Sequence, residues 1–209
     1  LPVLFHSLVP AYFYGGSTAS DTLLKVERSL RECAGPNEAA VILEKAKADF
    51  YRQLSGRFEP VEAMALTIKV LNLLRARRHL HSGNTVLQSR PLGIIVDPSN
   101  TCRLACPGCV HSARSESLKL FDWPDGTLPE NLFSSLLKSY GPQALGVYFC
   151  NYGEPLLNLS TPKMIRAAKQ YLMWTGLSTS LSVQRFDPDA YIKSGLDFMV
   201  LAIDGATQS

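Results

Sequence analysis

At 209 residues and 46% hydrophobic content, the chain can bury a sizeable core in one or two domains. Its formal net charge of +3 is mild, and the one local excess, Arg75, Arg77, Arg78, His79 and His81, reads as a solvated basic helix end before it reads as a nucleic-acid patch. No apolar run approaches the roughly 18 to 20 residues of a membrane span and the N-terminus has no signal-peptide pattern, so the expected setting is the cytoplasm.

The first ninety residues predict helices at Asp21 to Cys33, at Asn37 to Leu54 behind Gly35-Pro36, and from Pro60 to about Leu80, closed by Ser82-Gly83. None of them carries a chemical motif. Amphipathic spacing of Ala40, Leu43, Lys47 and Phe50 in the second is what packing alone requires.

From Pro91 the pattern changes. Four apolar runs, 92–96, 144–150, 176–183 and 196–203, predict strands, each followed by polar or turn-forming residues. Helices between them carry start signals. Thr127-Leu128-Pro129-Glu130 has capping-box spacing before NLFSSLLKSY, which Gly141-Pro142 ends; Thr161-Pro162 opens KMIRAAKQYLMW; Asp187-Pro188 opens a short helix ended by Gly195. Alternating strands and helices with continuous apolar strands predict an α/β fold with a parallel sheet, open or curled toward a barrel. The domains expected are a helical region at 1–90 and an α/β region at 91–209. In such folds, ligands gather at the carboxyl ends of the strands.

That end of the first strand carries DPSNTCRLACPGCVHS, in which Cys102, Cys106 and Cys109 have C-x3-C-x2-C spacing. Five cysteines in all, three of them clustered, argue against a disulfide framework and for a metal or redox site in a reducing compartment. Cys33 and Cys150 stand apart among apolar neighbours and read as small buried side chains. Two metal readings stay open. His111 could complete a Cys3His zinc set, at cramped spacing from Cys109. Alternatively, three thiolates hold an iron–sulfur cube and leave one iron open to a small chelating molecule.

With NYGEPLLN (151–158) after the second strand, some 40 residues beyond the cysteines, and LAIDGAT (201–207) ending the fourth, the region 91–209 resembles the first part of a radical S-adenosylmethionine enzyme. The branch it resembles often carries a C-terminal auxiliary-cluster (SPASM) domain. The resemblance implies a partial (βα) barrel. It also implies a [4Fe-4S] cluster on Cys102, Cys106 and Cys109, whose open iron is chelated by S-adenosylmethionine, and a 5′-deoxyadenosyl radical that abstracts hydrogen from a substrate. Gly153, Glu154 and Pro155 match the family's Gly-Glu-Pro motif. There Glu154 would accept hydrogen bonds from the cofactor's amino group, Gly153 would permit close backbone approach, and Pro155 would stiffen the turn. Thr179 or Ser180 would face the ribose hydroxyls, and Asp204 with Gly205 would follow the fourth strand, Ala202 standing where the family often has serine. A reductase or flavodoxin-like electron donor is the partner implied; no catalytic side chain is assigned.

Pro107-Gly108 stands where many members have an aromatic residue before the third cysteine, so Tyr152 or a later strand would have to pack the adenine. Four strands are fewer than the family's usual barrel of about six βα units. The chain is therefore expected to be an N-terminal fragment, inactive or unstable alone, with exposed apolar strand edges. The competing functions are a zinc-binding Cys3His module with a nucleic-acid or protein partner, and a cluster-bearing electron carrier without catalysis.

Overall fold

The structure, a computed structural model, describes residues 17–104, 106–107, 109 and 124–203. His111 and Asp204 lie outside the described residues. The chain divides into two compact units, one of Leu1–Leu92 with Pro142–Leu145 and one of Gly93–Gly141 with Gly146–Ser209.

In the first unit α1 (Ser17–Glu32), α2 (Pro36–Ser55) and α3 (Pro60–Ser82) pack on one another. A proline in the first turn of α2 and of α3 loses no hydrogen bond, because that N–H has no intrahelical partner. Gly83 closes α3 in the left-handed conformation, φ 66°. The third helix, α3, buries Leu66, Val70, Leu71, Leu73 and Leu74 together with Thr67, Lys69 and Asn72. Backbone carbonyls answer its polar intrusions. Lys69 Nζ donates to the Ala144 carbonyl, and Asn72 Nδ2 donates to Arg90 O and Gln143 O at 3.1 and 3.2 Å while Asn72 Oδ1 accepts from Arg90 N at 2.8 Å. Arg77, from the basic run, pairs with Glu27 at 2.5 Å, and Arg31 joins the same carboxylate at 2.6 Å. Burial alone would raise the Glu27 carboxyl; the two guanidinium groups outweigh it, and the carboxyl titrates below its ordinary range. That part of the basic run therefore ties α1 to α3.

In the second unit β1 (Gly93–Val96), β2 (Gly146–Phe149), β3 (Trp174–Thr179) and β4 (Phe198–Leu201) form one sheet in the order β1-β2-β3-β4, with every pair parallel. Helices α4 (Glu130–Tyr140), α5 (Thr161–Lys169) and α6 (Pro188–Ser194) connect them. Because α5 packs against both α4 and α6, the three form one layer. The chain is thus α/β with a parallel sheet. Its sequential order has no reversal point, which distinguishes it from the doubly wound folds.

The register separates two faces. Val147, Phe149 and Leu177 are fully buried under the helices, with the rings of Phe133 on α4 and Phe149 at 5.7 Å. On the other face Tyr148 stacks on Trp174 at 6.4 Å, and Trp174 meets Phe198 at 6.3 Å. Gly176 makes this aromatic file possible, since a Cβ there would stand 2.5 Å from both the Trp174 and Tyr148 rings. Gly176→Ala should therefore cost about 1–3 kcal/mol of stability as the rings are pushed apart, read from urea unfolding.

Three expectations change. The helix predicted to run to Trp174 ends at Lys169; Leu172 turns into the left-handed region, φ 54°, and Trp174 opens β3, which ends at Thr179 and not 183. The capping box at Thr127 does not form: the residue capping α4 is Pro129, without a side-chain bond, and Thr127 instead bridges antiparallel to Ser99. Cys33 and Cys150 are half-buried, not buried.

Candidate functional site

The carboxyl ends of β1, β2 and β3 converge through hydrogen bonds between the segments that leave them. Asp97, directly after β1, accepts from Tyr152 N at 2.9 Å and Gly153 N at 3.3 Å. Glu154 N donates to Thr101 O at 2.8 Å, which places the Gly-Glu-Pro turn beside the residue that precedes Cys102. Gly153 is required sterically: a Cβ would sit 1.7 Å from the Ser99 carbonyl oxygen. Pro155 is buried and opens a 3-10 turn, Pro155–Leu157, whose N-cap is Glu154.

Glu154 is 3% exposed. Its Oε1 accepts from Leu156 N at 3.1 Å and Thr179 Oγ1 at 2.5 Å; its Oε2 accepts from Ser180 N at 3.0 Å and Ser180 Oγ at 2.7 Å. An ionised carboxylate has about four acceptor sites, and all four are met by the chain. The side chain thus pins the end of β3 to the turn after β2. Thr179 and Ser180, read from sequence as facing a ribose, both turn their hydroxyls to Glu154 here.

Cys102, Cys106 and Cys109 are all free thiols and all half-buried. Cys102 Sγ accepts from Leu104 N at 3.5 Å, and Cys109 N donates to Cys106 O at 3.0 Å. Burial, reinforced by Glu154 and the other two thiols, raises the pKa of Cys102. Among the described residues no three Cys, His, Asp or Glu side chains are gathered as a ligating group, so the three thiols share a segment without converging. As a donor set they nonetheless suit an iron–sulfur cluster: three unpaired sulfurs, none engaged in a disulfide, at the ligand end of a parallel sheet.

Sequence reasoning missed three neighbours. Asp97 had a signal, a carboxylate immediately after a strand of an α/β sheet. Asn158, 6% exposed, lies within NYGEPLLN, where nothing in its residue type or spacing marks it. Cys150 directly follows β2; its thiol is pushed up by burial, with the Asp97 and Glu154 carboxylates adding to the rise and the Ser178 hydroxyl opposing it. Tyr152, the candidate for adenine packing, is 37% exposed.

The site belongs to a parallel α/β sheet whose strand ends bring a cysteine triplet beside a buried Gly-Glu-Pro turn. No protein-family model matches the chain, and no curated protein matches it. Among solved structures it resembles BtrN in complex with AdoMet and 2-DOIA, at 19% identity and TM-score 0.43, over 56% of this chain and 48% of that one. It also resembles Streptococcus suis SuiB bound to S-adenosylmethionine, at 16% identity and TM-score 0.43, over 81% of this chain and 37% of that one. The chain thus spans about half of the first and just over a third of the second.

Proposed function

We propose that this chain is the cofactor-binding part of a radical S-adenosylmethionine enzyme, with Cys102, Cys106 and Cys109 as ligands of a [4Fe-4S] cluster. One observation carries the reading: three free thiols leave the end of β1 on a segment hydrogen-bonded, through Thr101 O, to the Gly-Glu-Pro turn after β2. A chance cysteine triplet has no reason to share its root with that turn.

When bound, such a cluster supplies an electron to S-adenosylmethionine, giving a 5′-deoxyadenosyl radical for hydrogen abstraction from a substrate. This chain's residues do the holding. The three thiols furnish the ligands, and Gly153 lets the two segments approach to backbone contact. Pro155 and Glu154 fix the turn, and Glu154 sets the position of Ser180 on the rim. A cationic amino group could reach Glu154 only by displacing one of the hydroxyls, Thr179 or Ser180, since the backbone donors are fixed. Ser180 and Asp204 complete the proposed cofactor contacts. The 1–90 region is proposed as a separate helical domain, and a reductase or flavodoxin-like protein in the cytoplasm as the electron source.

Anaerobic reconstitution with iron and sulfide, followed by electron paramagnetic resonance with and without S-adenosylmethionine, tests this. About four irons per chain and a reduced signal that shifts with the cofactor are expected. In Cys109→Ala the brown chromophore and most of the iron should be lost, and in Cys33→Ala they should be retained. Stoichiometric zinc with no cluster would replace this reading by the Cys3His module.

A further inference from the structure

The cysteine-bearing segment is closed at its root. Residues 98–100 on the way out and 126–128 on the way back form a short antiparallel stem: Asn100 N donates to Gly126 O at 3.1 Å and Leu128 N to Pro98 O at 2.7 Å, with Ser99 and Thr127 bridged between them. The Asn100 side chain repeats the tie, donating to Pro124 O at 2.9 Å and accepting from Gly126 N at 2.8 Å. Besides the Glu154 N–Thr101 O bond, a side chain holds the stem to the turn after β2.

Asn158 holds it. Both hydrogens of its buried amide are used, one on each side of the stem: Nδ2 donates to Pro98 O at 2.8 Å and to Leu128 O at 3.0 Å. Its Oδ1 accepts from Ser160 N at 2.9 Å. The residue also ends the 3-10 turn that Glu154 begins, its N–H bonded to Pro155 O at 3.3 Å and its carbonyl accepting from Thr161 Oγ1 at 2.8 Å. Only a primary amide at this reach offers two donors and an acceptor together. Aspartate would set charge against two carbonyl oxygens, and leucine would leave buried polar groups unmet.

We propose that Asn158 is a positioning residue that fixes the root of the cysteine segment to the Gly-Glu-Pro turn, so that the thiols and the Glu154–Ser180 rim are presented as halves of one site. The shared site rests on the cofactor reading above; the coupling itself does not.

The test uses the full chain, as isolated and after reconstitution, in Asn158→Leu and Asn158→Asp. Hydrogen exchange at the Asn100 and Leu128 amides should quicken by about tenfold or more. Alkylation of Cys102, Cys106 and Cys109 should accelerate about threefold or more relative to Cys33, the internal reference in the helical unit. Amides of β2 and β3 should keep their parent rates, and the reconstituted variant's paramagnetic signal should respond less to S-adenosylmethionine than the parent's. Unchanged stem exchange and thiol ratios in a folded variant would overturn the proposal, as would uniform acceleration across β2 and β3. If Asn158→Leu does not fold, Asn158→Asp, which keeps the acceptor for Ser160, decides by the same ratios. Failure of the parent to take up a cluster would refute the cofactor reading, while exchange and alkylation would still decide the role of Asn158.

Discussion

Glu154→Ala is expected to destabilise the sheet unit by about 3–5 kcal/mol, because it strips a buried carboxylate from four donors at once. Two of those donors, Leu156 N and Ser180 N, are backbone groups that cannot turn to another partner; Thr179 and Ser180 hydroxyls can rotate. That difference predicts the result for Glu154→Gln. Whichever end of the amide carries the NH2 faces one of the two backbone N–H groups, donor to donor, while the rotatable hydroxyl on that oxygen's side can reverse and accept. The glutamine variant should therefore lose about 1–3 kcal/mol, between parent and alanine. Urea unfolding followed by Trp174 fluorescence in a Trp123→Phe background measures the order. Equal stability of all three would mean that the carboxylate holds nothing in solution. The functional consequence is separable: Glu154→Gln keeps the shape of the turn, so a cofactor contact would show as weakened S-adenosylmethionine binding beyond what the lost stability explains.

The parallel α/β sheet was legible because it rests on signals local in sequence: apolar runs, prolines at helix starts, glycines at their ends. Element edges were less so. Nothing in KMIRAAKQYLMW tells that the helix stops at Lys169, since Tyr171, Leu172 and Met173 are as apolar as a helix would want; the stop is set by Trp174, which joins β3 beside Gly146 and stacks on Tyr148. Thr127 had the chemistry of a helix cap, but the stem recruited its backbone for a bridge to Ser99. At the site, the cysteines and the Gly-Glu-Pro turn announce themselves by residue type and spacing. Asn158 does not, because it acts on backbone groups remote in sequence, 60 positions away at Pro98 and 30 at Leu128. The helical unit shows the same limit at Lys69, a lysine within the predicted third helix that is fully buried in the structure.

Lys69 supplies the second large effect, a stability that climbs with pH above neutrality. Burial pushes its ammonium down to about 7 from 10.5, because removing an ammonium from water disfavours its charged form. In the unfolded chain the same lysine keeps its proton to about 10.5. Between these values the unfolded state binds more protons, so folding is favoured increasingly as pH rises through that window, and the gain is lost again as pH falls through about 7. The full swing is on the order of 3 to 5 kcal/mol. Other groups run the opposite way: Tyr191, raised to about 12 by burial, and the half-buried thiols of Cys102 and Cys150 resist ionising in the fold and so weaken it at alkaline pH. The raw pH profile therefore mixes signs, and the difference between parent and Lys69→Met isolates the lysine. Methionine keeps the straight chain and volume, removes the charge, and gives up the bond to the Ala144 carbonyl. The variant should be more stable than the parent by about 2–4 kcal/mol below pH 7, with its advantage shrinking to nothing or reversing by about pH 10, where the parent lysine is neutral in the fold. Denaturant unfolding by circular dichroism across that range measures it. A constant difference at every pH would mean that Lys69 stays charged when folded, held by the Ala144 carbonyl and its other neighbours strongly enough to cancel its desolvation.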